Sequence, residues 1–362
     1  MKKDPRIAIM EEIPHIFNKR PLIIAGPCSA ESRTQMMDCA QQLRETNQAT
    51  IFRAGIWKPR TRPGQFEGSG DEGLKWLLEV KQTFNFPVIT EVATTKHVEK
   101  VLKAGIDMIW IGARTTSNPF SIHEISKALE GVDIPVFVKN PANPDLDLWI
   151  GAIERFKNAG IRQIAAIHRG FYPYEPTKYR NIPKWEVPIE LKMRIPDLPI
   201  LCDPSHIGGA RANILEVAQY AYDIMMDGLM IEVHPNPDVA KTDSKQQLTP
   251  KEFGEVMSNL IIRVQGDLNP PSQLERMRMQ IDSIDQQLID LLGKRFDISR
   301  NIANYKKDLN LAPFQLKRWR SIIDSRKLQA KNIGINPDFI MKLLQSIHKE
   351  SIAIQNEIMK KP

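Results

Sequence analysis

Cysteine is scarce: Cys28, Cys39 and Cys202 are the only three in 362 residues. Odd in number and far apart, they exclude a disulfide framework and point to a reducing compartment, the cytoplasm. No stretch approaches the ~18 uninterrupted apolar residues of a membrane span. The first residues, Met1-Lys2-Lys3-Asp4-Pro5, lack the apolar run of a signal peptide. An excess of one charge is also missing from most of the chain. Residues 1–271 hold 33 Lys and Arg against 33 Asp and Glu, whereas residues 272–362 hold 17 against 10. The whole excess of +7 therefore lies in the last quarter, a bias that suits nucleic acid, a solvated face or an anion pocket.

What the sequence does have is alternation. Short apolar runs occur at 21–25, 50–54, 87–92, 108–112, 135–139, 163–168, 199–203 and 228–234, with helical patterns such as 73–84, 96–104 and 213–226 between them. Eight such units predict a closed (β/α)8 TIM barrel over residues 1–264 rather than an open sheet. Residues 265–272 carry Gly266, Pro270 and Pro271 and read as a linker. Ser272 and Glu275 then form a capping-box start for an all-α unit over 273–362. Leu274, Met277, Ile281, Ile284, Leu288 and Leu291 step by three and four, a coiled-coil-like seam. Further helices are expected near 315–331 and 337–359, separated by Pro313 and the turn at 334–337.

Residues at the C-terminal ends of barrel strands converge on one mouth. Here they form two sets. Cys28, His206, Glu232 and Asp243 combine a thiolate, an imidazole and two carboxylates, which suits a divalent transition metal with open positions. Arg53, Lys58, Arg60, Arg114, Lys139 and Arg169 would repel one another unless anions neutralise them, and phosphate or carboxylate matches the guanidinium fork.

Several motifs carry a resemblance. Gly26-Pro27-Cys28-Ser29, Arg53-Ala54-Gly55, Lys58-Pro59-Arg60-Thr61, Ile111-Gly112-Ala113-Arg114 and Asp203-Pro204-Ser205-His206 resemble, in order and spacing, those of type I-beta 3-deoxy-D-arabino-heptulosonate 7-phosphate (DAHP) synthase. The likeness covers roughly residues 15–265. It implies condensation of phosphoenolpyruvate with erythrose 4-phosphate, with Mn2+ or a similar ion on Cys28, His206, Glu232 and Asp243. It further implies phosphoenolpyruvate on Arg53, Lys58, Arg114, Lys139 and Arg169, and erythrose 4-phosphate on Arg60 and Thr61. Lys58 is the expected proton donor to the nascent alkoxide. The related octulosonate 8-phosphate synthases carry Asn-Arg-Ser-Ser where this chain has Lys58–Thr61, so that stretch favours the four-carbon sugar. The chain departs from the family at Thr115-Thr116-Ser117, at Asn140-Pro141 after Lys139, and at His168 before Arg169.

In the last unit an arginine breaks an apolar stripe. Leu288, Leu291, Arg295, Ile298, Ile302, Tyr305 and Leu309 share one helical period, and Lys306 lies near the same face. Arg278 points elsewhere. On the last helix Ser351 and Gln355 sit on or beside the stripe Ile340, Leu344, Ile347, Ile354 and Ile358. Buried cations and polar groups of this kind need partners, and an enclosed organic anion would supply them. Arg278, Asp285, Arg295, Lys306, Arg318, Ser351 and Gln355 resemble the pattern of the all-helical chorismate mutase family over residues 272–362. That likeness implies conversion of chorismate to prephenate without a cofactor. Arg278, Arg295 and Arg318 would hold the carboxylates, Lys306 and Gln355 the ether oxygen, and Ser351 would complete the site. Trp319 stands where many members carry Glu. The family's intertwined fold implies a homodimer through the helical domain, or a homotetramer. The charges lie along apolar stripes with no aromatic platform, which excludes nucleic acid as partner. The fusion, with no further domain expected before Pro21, suggests feedback by prephenate or chorismate; a catalytically silent regulatory or oligomerisation domain is the alternative.

Overall fold

The computed structural model describes residues 16–18, 20–58, 64, 66–174, 176–263 and 273–360. The chain divides into two compact units, residues 1–264 and 265–362.

The first unit is a closed barrel of eight parallel strands in sequence order. These are β1 Leu22–Gly26, β2 Ile51–Arg53, β3 Val88–Val92, β4 Met108–Ile111, β5 Val136–Lys139, β6 Ile164–His168, β7 Ile200–Cys202 and β8 Gly228–Glu232. Closure comes from β1 pairing with β8, which aligns Gly26 with Glu232. A parallel strand buried on both faces reads as a continuous apolar run, which is why these segments stand out in the sequence. Inside the barrel, Leu22, Ile24, Ile89, Met108, Phe137 and Leu201 pack together, and Ile16 and Phe17 lie against this cluster. A larger apolar layer, including Met36, Leu43, Leu77, Trp149, Phe156 and Phe253, lies between the sheet and the surrounding helices.

Capping fixes where those helices begin. Ser32, Thr94, Asn118 and Asp145 each accept a backbone N–H of the first turn, and Thr249 with Glu252 forms a full capping box. After β7, Asp203 caps the short helix Pro204–Gly208 by accepting the His206 N–H. Gly26 has φ +147°, and a Cβ there would fall 2.2 Å from the Arg53 carbonyl oxygen. Only glycine lets β1 approach the end of β2 so closely.

The second unit has three helices, Gln273–Asp308, Leu316–Asn332 and Pro337–Lys360, and both of the first two pack on the third. The coiled-coil-like seam does not form the core of the single chain. Leu274, Met277, Ile281, Ile284, Leu288, Leu291, Ile298 and Ile302 are all exposed in the single chain, between 42% and 60%. The side of the first helix that loses solvent instead carries Leu292, Arg295, Phe296, Ser299, Ala303 and Lys306. One period of three and four thus runs along two adjacent faces, and sequence spacing alone does not say which one a single chain covers. Among the described residues no helix is long and apolar enough to cross a membrane. Ser272 and the linker at 265–272 lie outside the described residues, apart from the unit boundary itself.

Candidate functional site

Four neighbouring strand ends and the loops after them build a polar centre at the barrel mouth. Gly26 ends β1 and hands the chain to Cys28, whose N–H donates to Gln247 Oε1 at 2.9 Å. The Cys28 thiol donates to Asp243 Oδ2 at 3.3 Å, and Lys58 Nζ donates to Cys28 Sγ at 3.1 Å. The Cys28 sulfur and carboxylate oxygens of Glu232 and Asp243 lie within 4.8 Å of one another. His206 Nε2 is 3.8 Å from Glu232 Oε1, and its other ring nitrogen is 2.8 Å from Asp203 Oδ2. A thiol, two carboxylates and an imidazole oriented by a further carboxylate match the donor set of a divalent transition metal.

The charge balance supports that match. Burial pushes the Cys28 thiol up to about 12, and Glu232 adds to the rise. A buried thiol next to carboxylates stays protonated unless a cation stabilises the thiolate. The carboxylates behave oppositely. Burial opposes their ionisation, yet His206 and Arg53 hold Glu232 below its ordinary range, and His206 and Arg180 do the same for Asp243. Burial lowers the pKa of His206, keeping a ring nitrogen free of its proton.

Around this centre stand the cations. Arg53, 1% exposed, donates to Glu232 at 3.2 Å, and Lys139 donates to Asp203 at 2.7 Å. Both lie over the ring of Trp110, with Arg53 Cζ 4.8 Å and Lys139 Nζ 5.8 Å from its centroid. The Trp110 N–H donates to Glu91 Oε2 at 3.2 Å. Gly112 accommodates that carboxylate, since a Cβ there would fall 2.1 Å from Glu91 Oε1. A cavity of about 300 Å³ opens above, lined among others by Lys58, Arg114, Lys139, Arg169, His206 and Asp243. The structure therefore gathers nine expected residues at one mouth: Cys28, Arg53, Lys58, Arg114, Lys139, Arg169, His206, Glu232 and Asp243. Arg60 and Thr61 lie outside the described residues.

Sequence reasoning missed Arg180, Asn181, Glu91 and Gln246. Arg180 donates to Asp243 Oδ1 at 2.9 Å and also to Gln246, which in turn donates to Glu232 Oε2 at 2.7 Å. Asn181 accepts from Arg169 at 2.8 Å. These two come from the irregular stretch between β6 and the helix Glu186–Arg194, where no strand end or periodicity marks them. Glu91 could have been found, because it is a carboxylate near the end of a buried strand. The departures from the family pattern also find places. Asn140 accepts the Arg169 N–H at 2.7 Å and donates to the Gly170 carbonyl at 2.9 Å. His168 is fully buried between Trp149, Phe171 and Trp185. Burial pushes its pKa down to about 3, so it is a neutral ring in an aromatic box.

The helical unit brings together Arg295, Lys306, Ser351 and Gln355. Arg295 donates to Ser351 Oγ at 2.5 Å, and Lys306 Nζ donates to Gln355 Oε1 at 3.2 Å and to the Pro313 carbonyl at 2.6 Å. Gln355 donates to Ser299 Oγ at 3.1 Å, a buried hydroxyl missed in the sequence because serine carries no periodic signal. Arg278 is not brought to this cluster; it is exposed and paired with Glu275 on its own helix. Arg318 is also exposed.

The DAHP synthetase I family pattern matches residues 7–265, and the chorismate mutase type II pattern matches residues 277–356. A phospho-2-dehydro-3-deoxyheptonate aldolase of Thermotoga maritima is 34% identical over 238 residues, covering 66% of this chain and 68% of its own. A 2-dehydro-3-deoxyphosphooctonate aldolase of Francisella tularensis is 28% identical over 263 residues, covering 68% and 92%. The crystal structure of the Thermotoga maritima DAHP synthase superposes with a TM-score of 0.59 at 32% identity, covering 66% of this chain and 67% of that one. A truncated form of the Thermotoga maritima synthase gives 0.57 at 30%, covering 66% and 84%. The chain belongs to the DAHP synthetase I family, and it joins a DAHP synthase (transferase) domain to a chorismate mutase (isomerase) domain, the make-up of a bifunctional enzyme of the shikimate pathway.

Proposed function

We propose that the barrel condenses phosphoenolpyruvate with erythrose 4-phosphate in a metal-dependent reaction, and that the helical domain converts chorismate to prephenate. The first half is carried by one observation: Cys28, Glu232 and Asp243 cluster within 4.8 Å, and a single cavity at the barrel mouth is lined by Cys28, Asp243 and His206 together with Lys58, Arg114, Lys139 and Arg169. Cys28, His206, Glu232 and Asp243 would hold Mn2+ or a similar ion. Such an ion, when bound, supplies Lewis-acid polarisation of the aldehyde oxygen. Arg53, Lys58, Arg114, Lys139 and Arg169 bind the phosphate and carboxylate of phosphoenolpyruvate. Arg60 and Thr61 bind the phosphate of the sugar.

Carbon 3 of phosphoenolpyruvate attacks the aldehyde carbon, forming the new C–C bond. Lys58 gives its Nζ proton to the nascent alkoxide. The amine is kept charged for this role: burial works against the ammonium, but the negative charge of Cys28 as thiolate and of Glu91 more than offsets it, and its pKa is raised. Water then adds to carbon 2, and phosphate leaves as the C–O bond breaks. The arginines stabilise the charge that grows on the departing group.

In the helical domain Arg295, Lys306, Ser351 and Gln355 provide cations and hydrogen-bond donors for the dianion and its ether oxygen. The rearrangement is pericyclic, so catalysis is positioning and electrostatic stabilisation. Arg278 would then serve the pocket of a second copy, in a homodimer built on the exposed seam of the long helix, with Arg318 as a further carboxylate contact. A homotetramer satisfies the same seam. Feedback by prephenate or chorismate on the barrel, and residence in the cytoplasm, complete the reading.

The test is to assay the full chain for both reactions, with and without chelator and with added prephenate. Loss of synthase turnover with EDTA and its return with Mn2+ supports the metal. Equal turnover of arabinose 5-phosphate would sink the choice of the four-carbon sugar. A chain that leaves chorismate absorbance unchanged would make the helical domain regulatory only. Synthase kinetics indifferent to prephenate would remove the feedback.

A further inference from the structure

The polar groups of the helical pocket satisfy one another, with one exception. Arg295 is used by Ser351, Lys306 by Gln355 and Pro313, and Gln355 by Ser299. His348 stands one turn before Ser351 on the helix Pro337–Lys360, and the spacing 348, 351, 355 puts all three on one face. Its Nε2 atom is buried with no hydrogen-bond partner among the described residues. A ring nitrogen shut off from water without a partner is costly, so native structures rarely keep one without a reason.

The ring is also held. Trp319 stacks on it with centroids 4.2 Å apart and planes within 13°, and Phe314 tilts against it at 5.9 Å. The charged form of the imidazole is disfavoured, by burial first and then by the neighbouring Arg295 and Lys306. A ring whose charge is disfavoured by nearby cations is poorly suited to bind a carboxylate by charge. It can give or take one directed hydrogen bond, with its plane fixed in advance by the indole.

We infer that His348 is a further ligand-binding residue of the helical pocket, hydrogen-bonding through Nε2 to an oxygen of the bound organic dianion, and that Trp319 is the positioning residue that holds it. The inference rests on the reading of this pocket as the chorismate site. It gives Trp319 a task that a carboxylate at that position could not perform, since a carboxylate offers no face to stack on.

The experiment uses the full chain and the disappearance of chorismate. His348→Phe keeps an aromatic face for Trp319 and removes the nitrogen. Its KM for chorismate rises about tenfold or more, as for one lost hydrogen bond to a charged ligand. Melting temperature and synthase turnover stay at the wild-type values. His348→Gln, which restores an N–H at similar reach, recovers part of the loss. Trp319→Ala raises KM in the same direction, and Trp319→Phe, which keeps a stacking ring, raises it less. In the wild-type chain, the imidazole resonances of His348, assigned by their loss in His348→Gln, move on titration with prephenate. A packing role alone predicts the opposite pattern: lower melting temperatures, KM within twofold of wild type, and unmoved resonances; any variant set that behaves so overturns the inference. A wild-type chain that neither consumes nor binds chorismate overturns the pocket reading itself, and the inference with it.

Discussion

The barrel site and the helical site both gather cations for anionic ligands, but they are finished to different degrees within one chain. In the barrel, Arg53 meets Glu232 and Lys139 meets Asp203, all four buried, and half-buried Lys58 meets buried Cys28. Closing eight strands on themselves brings residues 28, 53, 139, 206, 232 and 243 to one rim without outside help. In the helical unit, the rest of the unit covers only one side of the 36-residue helix Gln273–Asp308 and leaves the other side apolar and exposed. In the proposed homodimer, this exposed apolar side is where the second copy packs. A closed sheet can complete a polar site alone, whereas a three-helix layer exposes as much as it buries.

The largest expected effect separates the two sites chemically. Cys28→Ala removes a proposed metal ligand, so synthase turnover falls about a thousandfold or more, since even outer-shell changes cost 10–100-fold. Metal content read by mass spectrometry falls with it, while mutase turnover is unchanged. Retained synthase activity with stoichiometric metal would sink the ligand assignment. The converse variant, Arg295→Ala, lowers mutase turnover about a hundredfold, the cost of losing one preorganised donor. Synthase turnover then stays at the wild-type level.

A third variant tests the incomplete site. Ile284→Asp places a charge in the exposed seam and is expected to abolish self-association through the helical domain, seen as a halved mass in sedimentation. Mutase turnover drops about tenfold or more, as for burying an unpaired charge at an interface. Synthase turnover changes little. An Ile284→Asp chain that sediments and turns over chorismate like the wild type would show that the seam serves no second copy.

How much of this could be read in the sequence follows the same division. All eight strands were legible, because parallel strands are apolar throughout and their ends carry the chemistry. Cys28, Lys58, Lys139 and Glu232 were found from strand ends alone. Arg180 and Asn181 were not, since they reach the site from an irregular stretch that has no period. The helical period was read correctly as a period, but within the single chain the side that loses solvent is the neighbouring one. Residues 288, 291, 298 and 302 repeat as regularly as 292, 296, 299 and 303, and hydrophobicity favoured the first set. Ser299 and Ala303 are small, and small residues let helices approach without announcing themselves in a hydrophobic pattern.

The smallest effect concerns acid. His168 is fully buried with its pKa pushed down to about 3, whereas a histidine in an unfolded chain titrates near 6.5. Between those values the unfolded barrel binds a proton that the folded one refuses. Stability contributed by the neutral ring is therefore complete above about pH 6.5 and declines as pH falls toward 3, by at most about 1.4 kcal/mol per pH unit. The buried carboxylates act lower. Asp203 is held well below its ordinary range: burial opposes this, but His206 and Lys139 outweigh it, and its contribution begins to fade only below about pH 4. The two windows can be told apart by urea unfolding of the full chain between pH 7.5 and 4.5, following the barrel transition. His168→Met should flatten the slope of stability against pH in that range, whatever it does to stability at pH 7.5. The helical transition should keep its own slope in the variant, because its histidine, His348, is only partly buried and lies in the other unit. If the His168→Met barrel loses stability with acid as steeply as the wild type, the proton is taken up elsewhere and the aromatic box around residue 168 is not what makes the barrel acid-sensitive.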